Sequence, residues 1–165
     1  MTRSLIAAAM ALALAATAQA REYTQAAPAP TDPAEREIAA LFDRWNAALA
    51  TGKPEQVAAL YAEDGVLQPT VSNWMREGRD EVQDYFVKFL TLQPKGVINS
   101  RNIQKVDEDT AIDAGIYTFT LTENGQSRQV QARYTYVYEK VDGDWKIALH
   151  HSSAMPEPVK HLAAN

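Results

Sequence analysis

The dipeptide Asp142-Gly143 constrains the fold of this chain more than any other feature of its sequence. It lies between two segments in which apolar and polar residues alternate, and Asp-Gly in that setting is a strong signal for a two-residue β-hairpin turn. Such a turn fixes the register of both strands, because Val141 then pairs with Asp144 and the later pairs follow. The pairs expected further from the turn are Tyr138 with Ile147, Tyr136 with Leu149 and Tyr134 with His151.

That register divides the side chains of the hairpin between two faces, since opposed residues share a face and alternate residues do not. The first face is apolar and is expected to lie under helices; it carries Tyr134, Tyr136, Tyr138, Trp145, Ile147, Leu149, His151 and Ser153. The second face carries Arg133, Thr135, Val137, Glu139, Lys146, Ala148, His150 and Ser152. The neighbouring histidines His150 and His151 are therefore predicted to point to opposite sides of the sheet.

A metal site is not expected from these histidines. Zinc and iron sites need about three protein ligands that converge on one point. His150 and His151 diverge, and His161 follows in a proline-flanked tail. The sequence contains no cysteine, which excludes disulfides and thiolate ligands. No metal and no other cofactor is predicted.

The segments before the hairpin predict helices followed by further strands. Thr31 or Asp32 can cap a first helix, which ends at Gly52, since these are preferred residue types at helix ends. Pro54 opens a second, shorter helix, and a third stops near Pro94. Later residues alternate as strands do, with short polar turns between them. The predicted fold class is α+β, with three N-terminal helices packed on a curved antiparallel sheet.

The first twenty residues have the pattern of a secretory signal peptide. Arg3 gives a positive start, residues 5–16 are apolar, and Ala18-Gln19-Ala20 matches a cleavage site. The apolar run is shorter than the roughly 18 residues of a membrane-spanning helix. We therefore expect cleavage after Ala20 and export to the periplasm or the medium, with no membrane attachment afterwards.

Cleavage would leave one domain with an acidic surface. The predicted division is a signal peptide at 1–20, a flexible leader at 21–31, a folded domain at 32–157 and a C-terminal tail at 158–165. The whole chain has a formal net charge of −5 and no basic run. This charge argues against nucleic acid and anionic lipid as partners.

The apolar face of the hairpin carries residues suited to a binding pocket. The predicted pocket residues are Tyr117, Tyr134, Tyr136, His151, Ser153 and, from a loop, Trp74. Such a lining fits a flat or amphipathic small molecule. His151 is also the candidate general base, because an imidazole in an apolar pocket has a tunable pKa. The alternative is that His151 is a core residue hydrogen-bonded to Ser153 or to a tyrosine hydroxyl. Either Asp64 or Asp113 could be the carboxylate partner of His151. No catalytic set is identified.

The opposite face carries the candidates for a subunit contact. Arg133 and His150 are predicted there, at the surface or at an interface. For Arg133 the alternatives are an ion pair with Glu139 and simple solvation, which is the commonest state of a strand arginine.

The segment from Asp142 to Pro156 contains the pattern D-G-x-W-x-I-x-x-x-H-x-S-x-x-P. With this ending, and with the helical segments IAALFDRWNAALATGKPEQVAALYAEDGVLQPT and GRDEVQDYFVKFL, the chain resembles nuclear transport factor 2-like domains, also called cystatin-like or SnoaL-like. Within that superfamily it is most similar to the association domain of calcium/calmodulin-dependent protein kinase II and to stand-alone bacterial relatives of the SgcJ/EcaC type. The resemblance runs from about Glu35 to Pro156.

The resemblance implies a cone in which helices cover a strongly bent sheet and enclose a pocket, while the outer face of the sheet forms dimers or larger rings. It places His151 inside the cone and His150 and Arg133 nearer the outer face. The kinase association domain lines its pocket with arginines, whereas Tyr117 and Tyr136 occupy two such positions here. This departure favours a small apolar or aromatic ligand over an anion.

The function predicted from these features is an exported domain that self-associates, as a homodimer or larger homo-oligomer, and holds a small ligand without catalysis. One alternative is a small-pocket isomerase, dehydratase or cyclase with His151 as general base. Another is a purely structural assembly domain. The fold alone does not decide between them, because this kind of fold hosts unrelated activities.

Overall fold

The computed structural model describes residues 21–162, so the predicted signal peptide at 1–20 lies outside the described residues. The helices are α1 (Pro33–Ala50), α2 (Pro54–Ala58) and α3 (Arg79–Phe89), with short 3₁₀ turns at Leu90–Leu92 and Lys160–Leu162. The strands are β1 (Tyr61–Gln68), β2 (Arg76–Glu77), β3 (Lys95–Lys105), β4 (Thr110–Glu123), β5 (Gln126–Val141) and β6 (Asp144–Ala154). No helix of the described part is both long and apolar enough to cross a membrane.

Helix α1 begins where the sequence predicts it. The side chain of Asp32 accepts hydrogen bonds from the backbone N–H groups of Ala34 and Glu35, at 2.8 and 3.0 Å, and Pro33 follows it at the first helical position. Both features are typical of a helix start. The apolar stripe of the helix is buried against the sheet and consists of Ile38, Leu41, Phe42, Trp45 and Leu49.

The six strands form one sheet in the order β2-β1-β6-β5-β4-β3. Neighbouring strands are antiparallel, except that β1 runs parallel to β6. The predicted α+β fold, with N-terminal helices packed on a curved sheet, is confirmed. The sheet departs from the predicted antiparallel arrangement only in the parallel pairing of β1 with β6, the last strand of the chain.

The hairpin turn is confirmed, and its register is confirmed as far as Tyr138. Asp142 and Gly143 have φ angles of 53° and 85°, as a two-residue turn of this type requires. Val141 pairs with Asp144 and Tyr138 pairs with Ile147. Beyond that point the register shifts by one residue: Val137 pairs with Leu149, Tyr136 with His150, Thr135 with His151 and Tyr134 with Ser152.

The shift is a β-bulge at Ala148, the extra residue of β6 between these two stretches of pairing. Strand β1 is irregular at the same place, between Tyr61 and Val66. A Cβ on Gly65 would lie 2.8 Å from the carbonyl oxygen of Ile147, so only glycine allows the two backbones to approach this closely. The irregularities of β1 and β6 therefore accommodate each other.

The bulge exchanges the two faces of the end of β6. The predictions that His151 and Ser153 point into the cone and that His150 lies on the outer face are wrong, because one extra residue moves every later side chain to the other face. His150 is buried at 3% exposure, whereas His151 is exposed. The prediction that the two neighbouring histidines point to opposite sides is confirmed.

A second irregularity bends the sheet between β3 and β4. The pairing of β3 shifts between Ile98 and Ser100, and a Cβ on Gly115 would lie only 1.9 Å from the carbonyl oxygen of Ser100. Glycine is required where two strands come this close. Bulges of this kind increase the local bend of a sheet, and here they give it the curvature around which the helices pack.

The leader makes hydrogen bonds to strands of the sheet. The backbone N–H of Ala27 donates to the carbonyl oxygen of Ile98 at 2.8 Å. The side chains of Asn99 and Gln131 donate to the carbonyl oxygens of Gln25 and Tyr23, at 3.1 and 2.9 Å. Strand β3 is an edge strand, and an edge offers unpaired backbone groups. The leader satisfies part of this edge.

Candidate functional site

A small cavity opens between the sheet, α3 and the residues that follow β1. Its wall is mainly aromatic and aliphatic, with polar groups at Thr70, Tyr85, Tyr117, His150 and Ser152. Among the residues that the structure describes, none of those lining it is Asp, Glu, Lys or Arg. The volume in which the centre of a water molecule can move is about 50 Å³. Ligand pockets for drug-sized molecules measure roughly 300–1,000 Å³, so this cavity admits a small uncharged group only.

The imidazole of His150 lies at the inner wall of this cavity and is held on three sides. The ring of Tyr136 stacks on it with centroids 4.1 Å apart, and the indole of Trp45 meets it edge-on at 5.3 Å. The hydroxyl of Tyr61 lies 3.0 Å from Nδ1. Nε2 is buried and has no hydrogen-bond partner among the described residues. The ring is thus fixed in orientation and has one unsatisfied nitrogen.

His150 is neutral at physiological pH. Burial, and secondly the charge on neighbouring His151, lowers the pKa of His150 from 6.5 to about 3. Burial also raises the pKa of Tyr61 well above its ordinary value, so the phenol keeps its proton. An imidazole with so low a pKa is a weak general base near neutral pH.

The hydrogen-bond pattern determines which nitrogen carries the proton. The only acceptor for the Tyr61 hydroxyl among the described residues is Nδ1 of His150, and a buried donor left without an acceptor is costly. Tyr61 therefore donates to Nδ1, which places the imidazole proton on Nε2. The Nε2–H of His150 and the Nε1–H of Trp45, another residue of the cavity wall, are then buried donors without a partner among the described residues.

A hydroxyl cluster forms the second polar part of the wall. The Tyr117 hydroxyl donates to Oγ of Ser152 at 2.5 Å, and Thr70 also hydrogen-bonds this oxygen. Burial raises the pKa of Tyr117 above its ordinary range, so this hydroxyl remains a donor. These groups satisfy one another, whereas Nε2 of His150 and Nε1 of Trp45 have no hydrogen-bond partner among the described residues.

A charged cluster lies elsewhere in the cone. Asp113 is fully buried, at 0% exposure, and its carboxylate lies 3.1 Å from Nε of Arg101. The Tyr134 hydroxyl donates to Oδ1 of Asp113 at 2.9 Å. Burial raises the pKa of Asp113, and the opposing effect of Arg101 is smaller. None of these three residues lines the cavity.

The predicted site residues are divided between several parts of the molecule. Tyr117 lines the cavity. Tyr134 and Tyr136 are buried behind its wall, and Trp74 is 56% exposed on the preceding loop. His151 and Ser153 do not line the cavity, because the bulge turns them to the outer face, where Ser153 Oγ accepts a hydrogen bond from Nε of Arg133 at 3.1 Å.

The sequence reasoning missed the groups that define the site. Ser152 and His150 were assigned to the wrong face, and Tyr61, at the start of β1, was not among the predicted site residues. No sequence signal marks the bulge at Ala148. The carboxylate partner proposed for a pocket histidine is also missing from the site, since Asp113 pairs with Arg101 and Asp64 is exposed.

The geometry of the two histidines bears on metal binding and on catalysis. Within residues 21–162 there is no group of three or more His, Cys, Asp or Glu side chains placed to hold a metal ion. The catalytic alternative required His151 beside a cavity, and His151 is exposed on the other face. No observation of the site therefore favours that alternative.

Comparison with known proteins identifies one family over most of the chain. Residues 34–156 match the family described as "Calcium/calmodulin dependent protein kinase II association domain". A crystal structure from Xanthomonas campestris, described as such a domain, is 61% identical in sequence and covers 84% of this chain and 100% of its own, with a TM-score of 0.82. Among curated proteins, no sequence matches the chain.

More distant structures share the fold. An NTF2-like protein with a cystatin-like fold from Novosphingobium aromaticivorans is 14% identical, covers 78% of this chain and 88% of its own, and has a TM-score of 0.63. The association domain of Caenorhabditis elegans CaMKII is 20% identical, covers 73% of this chain and 95% of its own, and has a TM-score of 0.62. The predicted resemblance to nuclear transport factor 2-like and association domains is confirmed.

Proposed function

Because the chain belongs to the calcium/calmodulin dependent protein kinase II association domain family, we propose that it self-associates through the outer face of its sheet and holds a small, largely apolar group in the cavity of its cone. The observation that carries the first part is an apolar row across the face of the sheet that the helices leave open. The observation that carries the second is a cavity whose described lining is mainly apolar and includes no charged side chain.

The apolar row crosses four strands without interruption. Val66 of β1 pairs with Leu149 of β6, Leu149 pairs with Val137 of β5, and Val137 pairs with Ile112 of β4. All four side chains are half-buried. Opposed β-branched and aliphatic residues of this kind pack well against a matching surface, and a twofold contact brings the same row of a second copy against them.

The proposed interface is tested by mass measurement. Light scattering of the chain from Arg21 at micromolar concentration is expected to give the mass of a dimer or a larger assembly. Val137→Glu puts a charge in the middle of the row and is expected to yield a monomer, since an unpaired buried charge is costly. Val87→Glu is the matched control, because Val87 is 59% exposed on α3, on the side of the sheet opposite the row. A wild-type chain that is monomeric throughout would contradict the proposal.

The proposed ligand is defined by the cavity wall. The apolar lining and the absence of charged side chains among its described residues favour an uncharged group.

Native mass spectrometry of freshly purified protein tests the ligand. We expect a small organic molecule that is released on denaturation and identified in the extract. Ala132→Leu should abolish this binding, because Ala132 is 3% exposed and lines the cavity. Ala47→Leu makes the same change at an exposed position of α1 and should leave binding unchanged. Equal binding by the two variants would place the ligand outside the cavity.

We also propose that the protein is exported, on the basis of the signal-peptide pattern at residues 1–20. Expression of the full chain in a bacterial host should place it in the periplasm or the medium, with Arg21 as its N-terminus by mass spectrometry. Replacement of Leu14 by Arg within the apolar run should retain the uncleaved chain in the cytoplasm. Retention of the unchanged chain with its first twenty residues intact would disprove this.

A further inference from the structure

Arg76, outside the cavity described above, is a buried cation without a counterion. Its side chain is only 7% exposed. Among the described residues, no Asp or Glu oxygen forms an ion pair with its guanidinium within 4.0 Å. Burial of a charge without a partner is strongly unfavourable. The site therefore has the electrostatic character of one that receives an anion.

The guanidinium is held so that one edge is left unsatisfied. Its Cζ lies 3.8 Å from the ring centroid of Trp74 and 5.8 Å from that of Tyr85. Nη1 donates to the carbonyl oxygen of Trp74 at 2.8 Å. Nε has no hydrogen-bond partner within the described residues. The Nε–Nη2 edge of an arginine matches the two oxygens of a carboxylate.

A groove of ligand size adjoins this arginine. Its free volume is about 570 Å³, within the range of roughly 300–1,000 Å³ found for small-molecule sites. Lys88 and Arg128 also line it, together with the acidic residues Asp84 and Glu123. Val71, Tyr85 and Phe89 line both the groove and the His150 cavity. The two spaces therefore share an apolar wall.

We propose that Arg76 binds the carboxylate of an amphipathic organic acid, whose apolar chain passes Val71, Tyr85 and Phe89 and ends in the His150 cavity. The apolar end fits the uncharged cavity wall, and the charged end remains in the groove beside a cation. The placement of the apolar end rests on the ligand proposal made above. The placement of the carboxylate rests on Arg76 alone.

Binding of matched acids and alcohols tests the two placements separately. Straight-chain carboxylates from acetate to decanoate and the corresponding 1-alcohols are titrated into wild-type protein by calorimetry at pH 7.5. At the best chain length the carboxylate should bind at least about tenfold more tightly than the alcohol, as expected for a charge-assisted hydrogen-bonded pair. Acetate should bind weakly, because it has no chain to enter the cavity.

Variants test whether Arg76 causes the acid to bind more tightly than the alcohol, which is called the advantage of the acid below. Arg76→Gln should remove it and leave alcohol binding intact, which also shows that the variant is folded. Arg76→Lys should keep only part of it, because lysine lacks the two-donor edge. Arg133→Gln removes the same charge from the exposed outer face and should keep the full advantage.

The outcomes separate the two proposals. The cavity proposal stands if alcohols bind wild type and lose affinity in Ala132→Leu. The anion site is refuted if acids bind wild type no more tightly than alcohols do, or if acids still bind more tightly than alcohols in Arg76→Gln. If no acid or alcohol of any length binds, both are refuted. If acetate binds as tightly as the longer acids, Arg76 binds anions but the shared apolar path is wrong.

Discussion

The cone contains two clusters of buried polar side chains, and the cost of removing these groups from water is offset differently in each. In the first, the carboxylate of Asp113 is compensated by Arg101 and by the Tyr134 hydroxyl. In the second, His150 is neutral, hydrogen-bonded to Tyr61 on one side and unsatisfied on the other. Arg101 of the charged cluster lines a groove between the leader, α1 and β3, whereas the neutral cluster forms part of the wall of the cavity between the sheet and α3.

The difference indicates which cluster is structural and which is a site. A buried charge is tolerated only with close partners, so the members of the first cluster are engaged with one another. A neutral imidazole can leave one N–H unsatisfied at a smaller cost, and His150 lines the cavity in which we place the ligand. Under the proposed function, Asp113 is a residue for stability and His150 a residue of the binding cavity.

The largest expected effect is on the charged cluster. Asp113→Ala should lower the free energy of unfolding by about 3–5 kcal/mol, because it leaves the partly buried Arg101 without its counterion. Urea unfolding followed by tryptophan fluorescence, at one protein concentration, measures the change. Asp109→Ala is the matched control: it breaks the 3.8 Å ion pair with Lys140, in which Asp109 is 71% exposed, and should cost less than about 1 kcal/mol.

Similar losses of unfolding free energy in Asp113→Ala and Asp109→Ala would contradict the description of Asp113 as a compensated buried charge. They would mean that Asp113 is compensated no better than a surface carboxylate. A loss near that of the control would also weaken the inference that Arg101 is held in place by Asp113.

The neutral cluster should affect how the free energy of unfolding depends on pH. The folded pKa of His150 is about 3 against an ordinary value of 6.5, so the unfolded state binds a proton below pH 6.5 that the folded state does not bind. Stability therefore falls as pH falls from 6.5 towards 3. By linkage, wild type should lose about 2 kcal/mol between pH 6.5 and 5 that His150→Asn does not lose.

Unfolding free energies of both proteins at several pH values between 7.5 and 5 measure this difference. His151→Asn is the control, since it keeps the buried imidazole and therefore the slope that this group causes. Parallel curves for wild type and His150→Asn would show that His150 accepts a proton within the folded protein, and would end the description of this cluster as neutral.

The fold was predictable because each part of it rests on local signals. Asp32 and Pro33 mark the start of α1, and the Asp142-Gly143 turn fixes the pairs nearest to it. Turn geometry and alternation act over short distances, so they determine strands and their order well. They determine the face of a side chain only while the alternation continues without an extra residue.

The site residues were not predictable because one extra residue in β6 moves the side chains that follow it to the other face of the sheet. The bulge at Ala148 arises where β1, distant in sequence, packs against β6 at Gly65, and nothing within β6 indicates it. The Asp113–Arg101 pair could have been found: the polar turn after Lys105 places Ile103 opposite Asp113, which makes Arg101 its diagonal neighbour on the same face. The burial of Arg76 could not have been predicted, since it depends on the rings of Trp74 and Tyr85.

The smallest expected effect compares two tyrosines that are neighbours on one face of β5. Tyr134→Phe removes a hydroxyl that donates to Asp113 at 2.9 Å and should cost about 1 kcal/mol. Tyr136→Phe removes a buried hydroxyl without a partner among the described residues and should leave the free energy of unfolding unchanged or raise it, because an unsatisfied polar group is lost. Urea unfolding at pH 7.5 measures both. A loss in Tyr136→Phe equal to that in Tyr134→Phe would mean that a bound molecule satisfies the Tyr136 hydroxyl, and the polar contents of the cone would then extend beyond the His150 cavity.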